Sequence, residues 1–135
     1  MAYDETLRSV SLDADSSLAV WTGVPGQPGS ANPNGGKQYH FVKITGNHTV
    51  GLADDNDTNV IGVMQNKPQV VGQAATVAYL GISRVVADKA VAAGADVKIS
   101  ADGQGTDTGS GPVVGIAVTP AAAAGEIFAV LLKTV

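Results

Sequence analysis

Two histidines are the residues of this chain best suited to metal or acid–base chemistry. His40 and His48 fall in neighbouring predicted strands, where a hairpin would bring their side chains close together. A zinc site needs three or four ligands, and no third ligand lies near this pair in the sequence. We therefore expect surface or hydrogen-bonded histidines, and we expect the chain to bind no metal and no cofactor.

An acidic turn is the second candidate for a metal site. Residues 55–59 read DNDTN, which is how a calcium-binding loop begins. Such a loop also requires glycine at its sixth position and glutamate at its twelfth, where this chain has Val60 and Asn66. The pattern indicates a solvated turn rather than a calcium site.

Catalytic motifs are missing from the sequence. It contains neither a G-x-S-x-G nucleophile turn nor a G-x-x-x-x-G-K-[ST] phosphate loop. Glu126 is the only glutamate beyond the N-terminal segment, so a pair of glycosidase carboxylates would have to include aspartates from predicted turns. We predict no catalytic residues and no enzymatic activity.

Charge and hydropathy exclude two classes of partner. The 135 residues include eight basic and twelve acidic side chains. The basic side chains are scattered along the sequence, whereas binding to a nucleic-acid backbone requires a cluster of them. The longest apolar runs fall far short of the roughly twenty residues of a membrane span. The first ten residues lack the basic flank and apolar run of an export signal, and the chain has no cysteine. We expect a soluble protein that binds neither nucleic acid nor a membrane.

Short runs rich in valine and isoleucine, each bounded by turn residues, dominate the chain after Gln38. Eight such runs at this spacing predict an all-β fold, a small β-barrel or sandwich with short helical turns. The predicted strands are 38–45, 48–53, 59–65, 74–80, 82–87, 95–100, 112–118 and 126–134.

An internal repeat at an offset of 53 residues aligns 61–63 (IGV) with 114–116 (VGI). We interpret the repeat as two pseudo-symmetric halves of one small β-barrel. The central glycines of these segments, Gly62 and Gly115, predict a bulge or a close approach of two backbones. Residues 121–124 follow a proline and are all alanine, which predicts one helical turn.

An uncharged connector rich in proline and glycine spans residues 22–36. It divides the chain into an extended N-terminal arm with its connector, residues 1–36, and a β domain, residues 37–135. The arm is too short for a core of its own. Its apolar side chains must pack as edge strands of the β domain, on a sister subunit or on another protein. They belong to Leu7, Val10, Leu12, Leu18, Val20 and Trp21.

Three segments of the β domain carry a family resemblance: NVIGVM at 59–64, AVAAGADV at 90–97 and VVGIAVTPAAAAGEIFAVLL at 113–132. Over about its last 95 residues the chain resembles the Ala/Val/Gly-rich kind of head decoration (cement) proteins of tailed bacteriophages.

The resemblance implies a non-enzymatic structural protein, a homotrimer that is made in the host cytoplasm. It implies a place on the outer capsid surface of the virion, where the protein staples neighbouring subunits of the major capsid protein. In several such families an N-terminal arm reaches onto the capsid. The six apolar arm residues are therefore candidates for capsid binding, with Trp21 as the natural anchor.

A second hypothesis keeps the virion location and changes the ligand. The chain would then be a surface, tail or fibre accessory β module that binds carbohydrate. Sugar sites usually stack a ring on an exposed aromatic side chain beside polar groups, and Trp21 and Tyr39 are the candidates.

Overall fold

The described part of the chain contains ten β-strands. A computed structural model describes residues 7–21, 29, 31–32 and 35–133. These residues form no helix, and the predicted all-β fold is confirmed. Within the same ranges, nothing qualifies as a membrane-spanning helix. The strands are β1 (Arg8–Ala14), β2 (Phe41–Gly46), β3 (Thr49–Leu52), β4 (Val60–Met64), β5 (Ala74–Leu80), β6 (Ile82–Val86), β7 (Asp96–Ile99), β8 (Gly105–Thr106), β9 (Gly115–Ala117) and β10 (Ile127–Leu132).

Strands β1–β5 form a closed barrel in the order β1-β3-β2-β4-β5, which we call the first unit. β1 closes it by pairing antiparallel with β5 and parallel with β3, the latter at Asp13 and Ala14. Of the three places expected for the arm, residues 8–14 take the first, a strand packed on the β domain. The reason is that β1 covers the open edges of β3 and β5, whose backbone groups would otherwise lack partners.

Strands β6–β10 form the second unit, a five-stranded sheet in the order β6-β10-β9-β7-β8 that curls into a half-barrel. Its edge strands approach each other at one parallel bridge, between Ala87 and Gly105. The eight strands predicted from the sequence are all present, as β2–β7, β9 and β10.

The two units are copies of one arrangement, with β1–β5 corresponding in order to β6–β10. β4 pairs with β5 at Val63 and Ala78. β9 pairs with β10 at Ile116 and Leu131, each 53 residues further along the chain. The repeat seen in the sequence is therefore a repeat of strand register.

The offset between the units changes along the chain, which hides most of the repeat in the sequence. The parallel pair Ala14–Val50 corresponds to Ala87–Gly105, an offset of 73 residues at β1 and 55 at β3. The longer β1–β2 connection of the first unit, which contains residues 22–36, accounts for the change. The repeat is thus a whole five-stranded unit, which corrects its interpretation as half of one small barrel.

Gly62 on β4 and Gly115 on β9 occupy equivalent positions and confirm the predicted close approach of backbones. A Cβ atom at Gly62 would overlap the carbonyl oxygen of Ala78. A Cβ atom at Gly115 would lie 2.6 Å from the carbonyl oxygen of Leu131, the counterpart of Ala78. Both units need glycine here because the paired strand lies too close for a side chain.

The predicted helical turn over residues 121–124 is wrong. Ala121 pairs with Val91 in an antiparallel bridge, and residues 123–125 form a bend and a turn, in which the Glu126 N–H donates to the carbonyl oxygen of Ala123 at 3.3 Å. The Glu126 carboxylate then accepts a hydrogen bond from the backbone N–H of Ala123 at 2.9 Å. The local alanine preference for helix is outweighed by this pairing between two connections of the second unit.

Two clusters of apolar side chains form the core. One fills the first barrel and includes Leu18 and Met64. The other joins Val63 and Ala78 of the first unit to Phe128 and further side chains of the second unit. The two units therefore share a core.

Candidate functional site

The two histidines occupy different environments. His40 is buried, with its Nδ1 atom 3.0 Å from the carbonyl oxygen of Gln38. Burial lowers the pKa of the His40 imidazole below its usual value, although the hydrogen bond to Gln38 opposes the shift. His48 is exposed in the β2–β3 turn, 4.0 Å from the Asp13 carboxylate. In the described part of the chain, no group of three or more His, Asp or Glu side chains could hold a metal ion.

The Asp57 carboxylate of the acidic turn is bound by neighbouring groups of the protein. Asp57 accepts a hydrogen bond from the backbone N–H of Asp54 and lies 2.8 Å from the Lys43 ammonium. Slight burial raises the pKa of Asp57, but the hydrogen bonds from Lys43 and Asp54 and the charge of Lys43 outweigh it. The net pKa lies below the usual value. This arrangement fits a solvated turn.

The six apolar residues predicted to bind a capsid are divided between the core and the surface. Leu18 is fully buried in the first barrel, where Leu12 packs beside it. Leu7 packs against the core shared by the two units, and Val20 is half-buried. Val10 and Trp21 are 43% and 38% exposed, so these two remain accessible for contact.

Trp21 is held in place by its backbone. It pairs with Ala31 in an antiparallel bridge, and its N–H donates to the carbonyl oxygen of Gln69 at 2.8 Å. Most of the neighbouring connector, residues 22–28, 30 and 33–34, lies outside the described residues. The indole is a large exposed side chain at a fixed position, which suits an interface anchor.

Sequence reasoning missed a second surface, the outer face of the second unit. Along β10, Phe128, Val130 and Leu132 are buried, whereas Ile127 and Leu131 are 53% and 44% exposed. A strand with one face in water usually alternates apolar and polar residues. The uniformly apolar sequence IFAVLL was the available signal, because it is typical of a strand that is covered on both faces.

Strand register places further apolar side chains beside Leu131. It pairs with Ile82 on β6 and with Ile116 on β9, so three large aliphatic side chains lie in one row across the sheet. Val118 follows β9 and its N–H donates to the carbonyl oxygen of Ala129. Two exposed charged residues border these side chains, Arg84 beside Ala129 and Asp96 beside Ile116. We define the outer apolar face by these residues: Ile82, Ile116, Val118, Ile127, Ala129 and Leu131.

The fold is similar to a solved structure, the N base of the head fiber gp8.5 in bacteriophage phi29. The TM-score is 0.59, the sequences are 16% identical, and the similarity covers 95% of this chain and 95% of that chain. At this identity the comparison shows a shared fold. No protein-family model and no curated protein matches the sequence.

Proposed function

We propose that this chain is a non-enzymatic decoration (cement) protein that binds the exterior of a phage capsid as a homotrimer. It staples neighbouring subunits of the major capsid protein. The observation that carries the proposal is the fold shared, over nearly the whole chain, with the base of a phage head fiber. The resemblance of residues 59–64, 90–97 and 113–132 to decoration proteins supports it independently.

The shape of the molecule suits this task. Two units joined through one core form a body that can lie across neighbouring capsid subunits without bending. Trp21 supplies an anchor on the first unit, where burying an indole contributes strongly to interface energy. Three such anchors in a trimer bind together, so that weak single contacts give strong attachment.

Co-sedimentation with phage heads tests the proposal. The protein is expected to sediment with expanded, undecorated heads and to stay in solution with compact precursor shells. Trp21→Ala is expected to weaken binding by about 30-fold, the effect of losing about 2 kcal/mol at an interface anchor. Tyr79→Ala, which removes an equally exposed aromatic elsewhere, is the matched control. A protein that binds neither form of the head would refute the proposal.

Carbohydrate binding is a second candidate because a groove beside the second unit combines an aromatic ring with polar groups. The groove has a volume of about 450 Å³ and is lined by Tyr39, Gln65, Arg84 and Thr119 among others. Binding to a glycan array that is lost in Arg84→Ala or Tyr39→Leu would favour this function. An array without signal would exclude it for the sugars tested.

A further inference from the structure

The contact between the two units buries the outer face of the first unit. Val63 and Ala78 alternate with interior residues of β4 and β5, and both are fully buried in the core shared with the second unit. Their counterparts, Ile116 and Leu131, belong to the outer apolar face. The same surface is therefore covered in one unit and uncovered in the other.

One side-chain hydrogen bond identifies the two surfaces that meet. Gln65 Nε2 in the first unit donates to Ser83 Oγ on β6 at 2.9 Å, and Ser83 is buried. By strand register, the counterpart of Gln65 is Val118, and the counterpart of Ser83 is Val10. Val118 and Val10 are 46% and 43% exposed. Gln65 and Ser83 thus form a hydrogen-bonded pair inside the chain. Their counterparts, which have no such contact within the chain, are two exposed valines.

We infer that copies of this chain associate head to tail. The outer apolar face of one chain packs against the β1 side of the first unit of the next, which brings Val118 against Val10. The occupant is a second copy because its first unit exposes Val10, the counterpart of Ser83, which the outer face of the first unit covers within the chain. Such a heterologous contact closes into a ring or continues as a fibre. The inference deepens the proposed function by naming the contact between subunits of the homotrimer.

The contact between chains is expected to be weaker than the contact within the chain. Within the chain, the Val86 N–H donates to the carbonyl oxygen of Tyr39 at 3.0 Å, so backbone groups join the two units. In the first unit the counterpart of Val86 is Asp13, whose N–H already donates to the carbonyl oxygen of His48 at 2.9 Å. The contact between chains therefore rests on side chains and is expected to dissociate on dilution.

Single cysteines test the direction of the contact, because the chain has none of its own. Val10→Cys and Val118→Cys are prepared separately and oxidised alone and as a mixture. The mixture is expected to give a covalent dimer, whereas each variant alone and a mixture of Ile44→Cys with Val118→Cys stay uncrosslinked. Ile44 is a matched control because it is 39% exposed and lies outside both surfaces. A mixture without dimer, or equal dimer in Val10→Cys alone, overturns the inference.

Light scattering over a series of concentrations tests the association itself. We expect the unsubstituted protein to exceed the mass of one chain and Val118→Asp to fall to that mass, with Ile44→Asp unchanged. Circular dichroism checks that each variant folds. A single-chain mass for the unsubstituted protein at all concentrations overturns the inference. Both experiments use protein without capsids, so a failure of capsid binding and a failure of self-association are told apart.

Discussion

At the scale of single residues, the two units differ in the residue type at two positions with left-handed backbone conformation. Tyr39 and His48 have φ angles of 65° and 54° in the first unit. Their counterparts by register are Gly94 and Gly103, with φ angles of 84° and 70°. Side chains are strained in this region and glycine is not. The second unit therefore has the better residue at both positions.

Replacing His48 by glycine is expected to stabilise the protein. Relief of left-handed strain is worth roughly 1–2 kcal/mol, and the added freedom of the unfolded chain offsets roughly 0.5–1 kcal/mol of it. We expect a net gain of about 0.5–1 kcal/mol in urea unfolding. Gly103→Ala is the reciprocal control and is expected to destabilise, because its φ angle is 70° and its Cβ would lie 2.9 Å from the carbonyl oxygen of Phe41. A loss of stability in His48→Gly would contradict the role of backbone strain.

His40 predicts a pH dependence of stability. Because burial lowers the pKa of His40 in the folded state, the unfolded chain binds a proton at this site more readily. The contribution of His40 to the free energy of unfolding is therefore present above its pKa in the unfolded chain, about 6.5, and is lost as the pH falls below that value. We expect less stability at pH 5.5 than at pH 7.5, and a smaller difference in His40→Gln than in the exposed control His48→Gln. Equal pH dependence in both variants would show that His40 does not cause the loss.

At the scale of elements, the strands with strong β patterns were predictable and two others were not. β1 has only Val10 and Leu12 as large apolar residues among seven, and most of its side chains are exposed. β8 has two residues and forms only because β7 lies beside it. The sequence of β10 is apolar on both faces of the strand, which signals the outer apolar face. Which of the two faces is buried depends on tertiary packing. The division of the arm residues between core and surface depends on packing in the same way.

Gly62 and Gly115 are expected to be equally essential, since they occupy one position of the repeated unit. Alanine at either site forces the paired backbones apart, at a cost of about 3 kcal/mol. Gly46→Ala is the control, because its Cβ would meet only Thr49 at 3.6 Å, an ordinary contact. Urea unfolding of the three variants measures the difference. A tolerated Gly115→Ala would argue against the equivalence of the units.

Removal of residues 1–21 is expected to prevent folding of the first unit. The truncation deletes β1, which closes the barrel, and Leu18, which fills it. Removal of residues 1–6 keeps both and is expected to leave the fold intact. Circular dichroism and thermal unfolding compare the two. A cooperative transition in the longer truncation would restore the model of an arm that is independent of the barrel.

At the scale of the whole molecule, a sequence with few charged and aromatic side chains folds into a repeated structure. A chain of net charge −4 with few aromatic residues builds two copies of one five-stranded unit and joins them through a common core. Its exposed apolar side chains include Trp21 on the first unit and the outer apolar face on the second. The proposed function assigns the first of these surfaces to the capsid, and the head-to-tail inference assigns the second to the next copy.

A density map of intact phage particles tests the decoration function most directly. The proposed function predicts density for the two-unit body on the outer capsid surface, in contact with more than one major capsid subunit and with Trp21 in that contact. The head-to-tail inference predicts that neighbouring copies meet at Val10 and Val118. Density confined to the tail or to the capsid interior, or particles without this protein, would contradict the proposed function.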